Sequence, residues 1–241
     1  MKITVGVGTA VDTVSPADAK ALATALDIQV KRDLKPIWDV DAEVIFVEDL
    51  QKLPAGVHPI IITAPVEGDF AGKHFSQGAM THAFINANRN WRLAASHECL
   101  EMLVDPTGVK FITSPGIQII DNDLHDTADD FHYLLEVCDP VENPIYAYEI
   151  NGIPVSDFYT PEYFDRQSKP GARYSYRGSI TRPRQILPDG YISWYVPETK
   201  IFHQIKNFDR FSHAEVGSWS DASAMTARMF IDANTRTPRS A

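Results

Sequence analysis

Ser96-His97-Glu98-Cys99-Leu100-Glu101-Met102-Leu103-Val104-Asp105-Pro106 is the stretch on which the fold turns. Its spacing predicts the end of a helix that runs from Trp91 to Val104 and is stopped by Pro106. His97, Glu101 and Asp105 fall at i, i+4 and i+8 and share one face. Glu98 lies about 100° round from His97. An imidazole and a carboxylate four residues apart can hold one divalent cation, and the carboxylate beside the imidazole can take a proton from water. Leu93, Leu100, Met102, Leu103 and Val104 make the helix apolar almost all round, which predicts burial. Buried acids need a partner or a metal, so the same residues that bury the helix argue for a cation.

Upstream, strand and helix alternate. Residues 2–8 read as a strand. Ser15 caps a helix with Pro16 in its first turn, and Leu22, Leu26, Val30 and Leu34 give it an apolar stripe as far as Lys35, with Pro36 expected to end it. Strands follow at Ala42–Val47 and Pro59–Thr63. Residues 65–78, with Gly68, Gly72 and Gly78, read as an exposed loop, and Thr81–Asn86 as a strand at the sheet edge. Downstream, residues 107–200 are rich in proline and aromatics and lack a long helical period. Short strands are expected at about 109–112, 117–120, 131–137, 145–150, 153–155 and 191–196, with Asn151-Gly152 and Asp189-Gly190 as turns. Asp121, Asp123, Asp126, Asp129 and Asp130 read as a solvated loop without calcium-loop spacing. The arginine-rich residues 165–185, including Arg182 and Arg184, read as a second solvated loop. A last helix is expected within Asp221–Asn234. The fold class is therefore α+β, with an N-terminal half over 1–106 that carries the motif helix in a mixed sheet, and a β-rich C-terminal half over 107–241 that closes the site.

Two more acids follow an apolar run in Leu134-Leu135-Glu136-Val137-Cys138-Asp139-Pro140. The paired segments S-H-E-x-x-E-x-x-x-D-P and E-V-C-D-P are similar to the H-E-x-x-E … E-I-x-D-x-C pattern of a zincin-like group that includes exordium-like proteins. The order of strand, helix, two strands, edge strand and motif helix over residues 1–105 resembles the N-terminal half of zincin metallopeptidases. The resemblance implies His97 and Glu101 as metal ligands, Glu98 as the catalytic base, and Glu136 and Asp139 as further site residues. Asp105 extends the same ligand face. A second His at position 101 is absent, as are the Gly and His that would extend the motif, where Val104 and Thr107 stand. The activity implied is metal-dependent hydrolysis of a peptide or amide bond in a peptide or protein substrate. Tyr133, Tyr146, Tyr148 and His132 are candidates for stabilising an oxyanion. The cofactor expected is a divalent metal, zinc first, with calcium or manganese favoured by added carboxylates. The alternative is a non-catalytic protein of the same build, with a structural metal or a metal-free acidic site, acting as a component of an assembly.

The 241 residues carry 22 basic and 32 acidic side chains, a formal charge of -10. That balance argues against nucleic acid and anionic membranes as partners. Two cysteines, Cys99 and Cys138, do not make a disulfide scaffold. No secretory or spanning segment is read, so a cytoplasmic location is expected, with leaderless export or incorporation in a larger particle as the other routes.

Overall fold

The strand ITVGVGT opens the first sheet because its β-branched residues alternate with small ones, burying Val5 and Val7 completely. In this computed structural model, residues 2–64, 71–77, 80–88, 90–220 and 225–235 are described. The protein is α+β and divides into two compact units, Met1–Thr107 with Ala147–Ser156, and Gly108–Tyr146 with Asp157–Arg236. The first unit thus reclaims a short hairpin from beyond the boundary that the sequence pattern marks.

In the first unit, β1 (Ile3–Thr9) leads to α1 (Pro16–Ile28), capped by the Ser15 hydroxyl, which accepts from Asp18 N at 3.1 Å. Leu22, Leu26, Val30 and Leu34 are fully buried, as the stripe predicts. Pro36 does not end the helical run. A π-helical turn at Gln29–Leu34 intervenes, and α2 (Lys35–Trp38) takes Pro36 into its first turn, where no amide donor is needed. The sheet continues with β2 (Ala42–Phe46), β3 (Val57–Thr63), β4 (Gly72–Gln77) and β5 (Met80–Asn86), and then α3 (Trp91–Val104). Its order is β2-β1-β3-β5-β4, with β4 antiparallel to β5 and the other pairs parallel. The edge strand is therefore β4, which lies in the stretch read as a loop, and 81–86 is an internal strand. The rest of that loop, 65–70 and 78, lies outside the described residues. α3 packs on β5, β4 and β3.

In the second unit, β6 (Phe111–Ile120) and β7 (Asp123–Leu134) form a long hairpin through Asp121 and Asn122, both at positive φ. From Asp123 onward the acid run is thus strand, not loop. Arginines from the 165–185 segment hold it: Arg166 pairs with Asp130 at 2.9 Å, Arg182 with Asp123 at 3.0 Å and Arg184 with Asp126 at 2.9 Å. Arg184 is 1% exposed and also donates to Ser114 Oγ, so it is a buried strut rather than a solvated arginine.

The hairpin of β8 (Tyr148–Ile150) and β9 (Ile153–Val155) belongs to the first unit and turns at Asn151-Gly152, both at positive φ. The second sheet is completed by β10 (Tyr191–Val196), β11 (Ile201–Phe208) and β12 (Arg210–Ser218), in the antiparallel order β12-β11-β10-β7-β6. The last two strands were not read from the sequence. α4 (Ala227–Asn234) covers a cluster of Leu134, Phe202, Trp219, Ala227 and Ile231. Residues 221–224, where that helix was expected to begin, lie outside the described residues. No helix among the described residues is long and apolar enough to cross a membrane.

Candidate metal centre

α3 is buried along most of its length, and its polar residues Ser96, Glu98 and Glu101 are buried with it. Its position is fixed by polar contacts on one side and the edge hairpin on the other. Ser96 Oγ donates to Gln29 Oε1 at 2.8 Å and accepts from Ser156 N at 2.8 Å. Gln29 Nε2 in turn donates to Ser156 O at 2.9 Å and to Tyr148 Oη at 3.1 Å, and Tyr148 donates to Asp33 at 2.7 Å. The π-helical turn thus brings Gln29 and Asp33 into a satisfied buried network that ties the motif helix to the β8–β9 hairpin. On the other side, Ser76 Oγ donates to Pro106 O at 2.9 Å and Thr81 Oγ1 donates to the same carbonyl. The edge hairpin is pinned to the C-terminal end of α3.

The consequence is a cluster of two imidazoles and two carboxylates. Glu101 is fully buried, and its Oε2 lies 3.2 Å from His97 Nε2. His74, on β4 and fully buried, places Nδ1 2.8 Å from Glu98 Oε2 and 3.9 Å from Glu101 Oε2. One ligand atom from each of His74, Glu98 and Glu101 lies within 4.8 Å of the others. The His97 side chain retains 12% exposure and is the most open member of the four. His74 Nε2 is buried and, among the described residues, has no hydrogen-bond partner. Two carboxylates withdrawn from water need compensating positive charge, and a set of imidazoles and carboxylates at this spacing fits a divalent cation.

Gly72 makes the closeness possible. A Cβ there would stand 2.8 Å from Glu98 Cγ and 3.0 Å from Glu98 Oε1. Gly72→Ala is therefore expected to push Glu98 off its contact with His74 while leaving β4 paired. The check is metal affinity together with the melting temperature: affinity falls by about tenfold or more, with a loss of about 1–3 kcal/mol in stability from overpacking.

The other expected site residues have partners of their own. Asp105 caps α3, and its Oδ1 accepts from Thr107 N at 3.2 Å and Thr107 Oγ1 at 2.8 Å. Glu136 and Asp139 belong to the second unit, where Arg228 of α4 lies 2.9 Å from Glu136 and 3.3 Å from Asp139, with Asp232 at 3.5 Å. Burial works against the charge on Arg228. The carboxylates of Asp232, Glu136 and Asp139 outweigh it and hold the guanidinium well above its usual range. Of the residues proposed for an oxyanion, Tyr148 donates to Asp33, and Tyr133 donates to Pro115 O at 2.7 Å. Cys99 is fully buried, and burial pushes its thiol up to about 12, which removes it as a nucleophile at neutral pH. Cys99 and Cys138 are not disulfide-bonded. His82 on β5 is held below the usual histidine range, first by burial and then by the neighbouring His74.

His74 is the residue that the sequence reading missed. It lies far upstream of the motif, in a glycine-flanked stretch taken for a loop. The alternation of Gly72, His74 and Ser76 with Lys73 and Phe75 is the period-two signal of a strand that could have found it. Comparison of the chain with known protein families, with curated proteins and with solved structures finds no match.

Proposed function

We propose that the first unit binds a divalent metal and hydrolyses a peptide or amide bond, with Glu98 as the general base. The observation that carries this is the convergence of His74, His97 and Glu101 around one buried carboxylate oxygen, with Glu98 beside them. Glu101, His97 and His74 are the residues that would hold the ion. When bound, the metal supplies Lewis acidity and makes an attacking water easier to deprotonate. Glu98 receives the proton from that water and returns it to the leaving amine. Glu98 Oε2 stands 2.8 Å from His74 Nδ1, beside the donor set. The order of β1, α1, β2, β3, edge strand and motif helix, with β5 inserted before α3, supports a zincin-like reading of this unit. Zinc is the ion best matched to two imidazoles and a carboxylate.

One observation favours a second reading, a closed structural site. His74, Glu98 and Glu101 are each less than 5% exposed, and the gathered donor atoms include Glu98 itself. In that case Glu98 is a ligand and the metal stabilises the fold without turnover. Glu98→Gln separates the two. A base predicts full metal content and cleavage of quenched fluorogenic peptides reduced by about 100-fold or more. A ligand predicts reduced metal content and a lower melting temperature, with no peptide cleavage in the parent chain. Unchanged cleavage in Glu98→Gln removes Glu98 from the chemistry.

A further inference from the structure

We propose that His203 and His213, on the second sheet, form a separate surface site for a late first-row transition ion, with copper(II) the strongest binder. The two residues sit on adjacent antiparallel strands, β11 and β12, in diagonal register: His203 faces Glu215 and Ile205 faces His213. Side chains at these paired positions share a face, and a diagonal pair is within reach of long or aromatic side chains. His203 Nδ1 and His213 Nε2 are 3.1 Å apart. Two imidazole nitrogens each roughly 2.0–2.1 Å from one ion stand about 2.9 Å apart at a right angle and about 3.3 Å apart at the tetrahedral angle. The observed separation falls between these, so it suits a single ion bridging the pair once each ring turns in its plane.

The rings are also held in place. Trp194, 3% exposed on β10, lies nearly parallel to both imidazoles, at 5.4 Å and 14° from His203 and 5.4 Å and 13° from His213. Phe131 stacks on the far neighbour of this arrangement, 4.9 Å from Trp194 and 4° from parallel. Stacking fixes the ring planes before any ligand arrives, which lowers the ordering cost of chelation. His213 is exposed and His203 half-buried, so the pair opens to solvent. Glu215, directly across from His203 on the same face, adds negative charge beside the pair, and water would complete the shell. In this contact one ring donates and the other accepts, according to their tautomers. A tautomer change in one neutral ring turns both lone pairs toward a common point. Burial, and then His213 itself, hold His203 below the usual histidine range, which keeps it in the neutral form that binds metals. Imidazole pairs prefer copper(II) over nickel(II) and zinc.

This site is independent of the first unit and stands whether or not His74, His97 and Glu101 hold a metal. The test is calorimetric titration of copper(II) chloride into the full untagged chain, repeated with His203→Ala, His213→Ala and the double variant, with tryptophan emission followed in parallel. Chelation predicts that each single substitution weakens one binding event by at least about tenfold and that the double is no worse than either single. It also predicts quenching of part of the tryptophan emission in the parent and not in His213→Ala, because Trp194 lies against both rings. His213 is exposed, so its replacement leaves the fold intact. Losses that simply add, a single variant that binds as tightly as the parent, or quenching that survives in His213→Ala overturns the proposal.

Discussion

Replacing Arg228 with alanine is expected to lower the stability of the protein by about 3–5 kcal/mol, the usual cost of leaving buried charges uncompensated. Arg228 is 5% exposed and is met by Glu136, Asp139 and Asp232 at 2.9, 3.3 and 3.5 Å. Glu136 and Asp139 are themselves only 4% and 2% exposed, so the variant takes a cation away from two buried acids. Arg228 also lies on α4, which covers the Phe202 and Trp219 cluster, so the helix loses its electrostatic anchor and its seat together. Urea unfolding followed by tryptophan emission measures the loss. Adding Glu136→Gln and Asp139→Asn to Arg228→Ala removes the uncompensated charge, and is expected to recover a large part of it. A loss below about 1 kcal/mol for Arg228→Ala would show that the ion-pair set contributes no more than a surface pair does.

The second large effect is expected at Glu101. Its carboxylate is the member of the cluster that both His97 and His74 approach, at 3.2 and 3.9 Å. Glu101→Gln keeps the shape and removes the charge. Loss of outer partners of a metal site alone costs about 10–100-fold in affinity, so loss of this inner anchor is expected to weaken zinc binding by at least about 100-fold. Competition against a zinc-sensing dye measures it, and His74→Ala should follow the same direction. Binding that is unchanged in Glu101→Gln would move the ion away from α3.

How much of this was legible in the sequence depends on how local the determining physics is. The cap at Ser15, the stripe of Leu22, Leu26, Val30 and Leu34, the hairpin at Asn151-Gly152 and the buried α3 follow from neighbours a few residues apart, and each is present. The α+β class followed from them. The first helical run outlasts its expected end because a π-helical turn at Gln29–Leu34 leads into α2, whose first turn accepts Pro36, a device invisible to a 3.6-residue period. β4 was taken for a loop because glycines mark both turns and close approaches, and Gly72 serves the second purpose beneath Glu98. The acidic strand β7 looked like a solvated loop because the arginines that neutralise it, Arg166, Arg182 and Arg184, come from a distant segment. At the site, His97, Glu98 and Glu101 were visible as one helix, whereas His74 arrives through sheet pairing. Nothing local to Glu136 and Asp139 points to Arg228, which lies about ninety residues further along the chain.

The most direct test is elemental analysis of the His213→Ala chain, purified without an affinity tag so that neither the surface pair nor a tag contributes metal, combined with melting before and after chelation. A metal centre at His74, His97 and Glu101 predicts roughly one divalent ion per chain, zinc foremost, and a melting temperature that drops on chelation and returns when zinc is restored. A chain that carries no divalent ion, takes up none when zinc is supplied, and melts identically with and without chelator would contradict it.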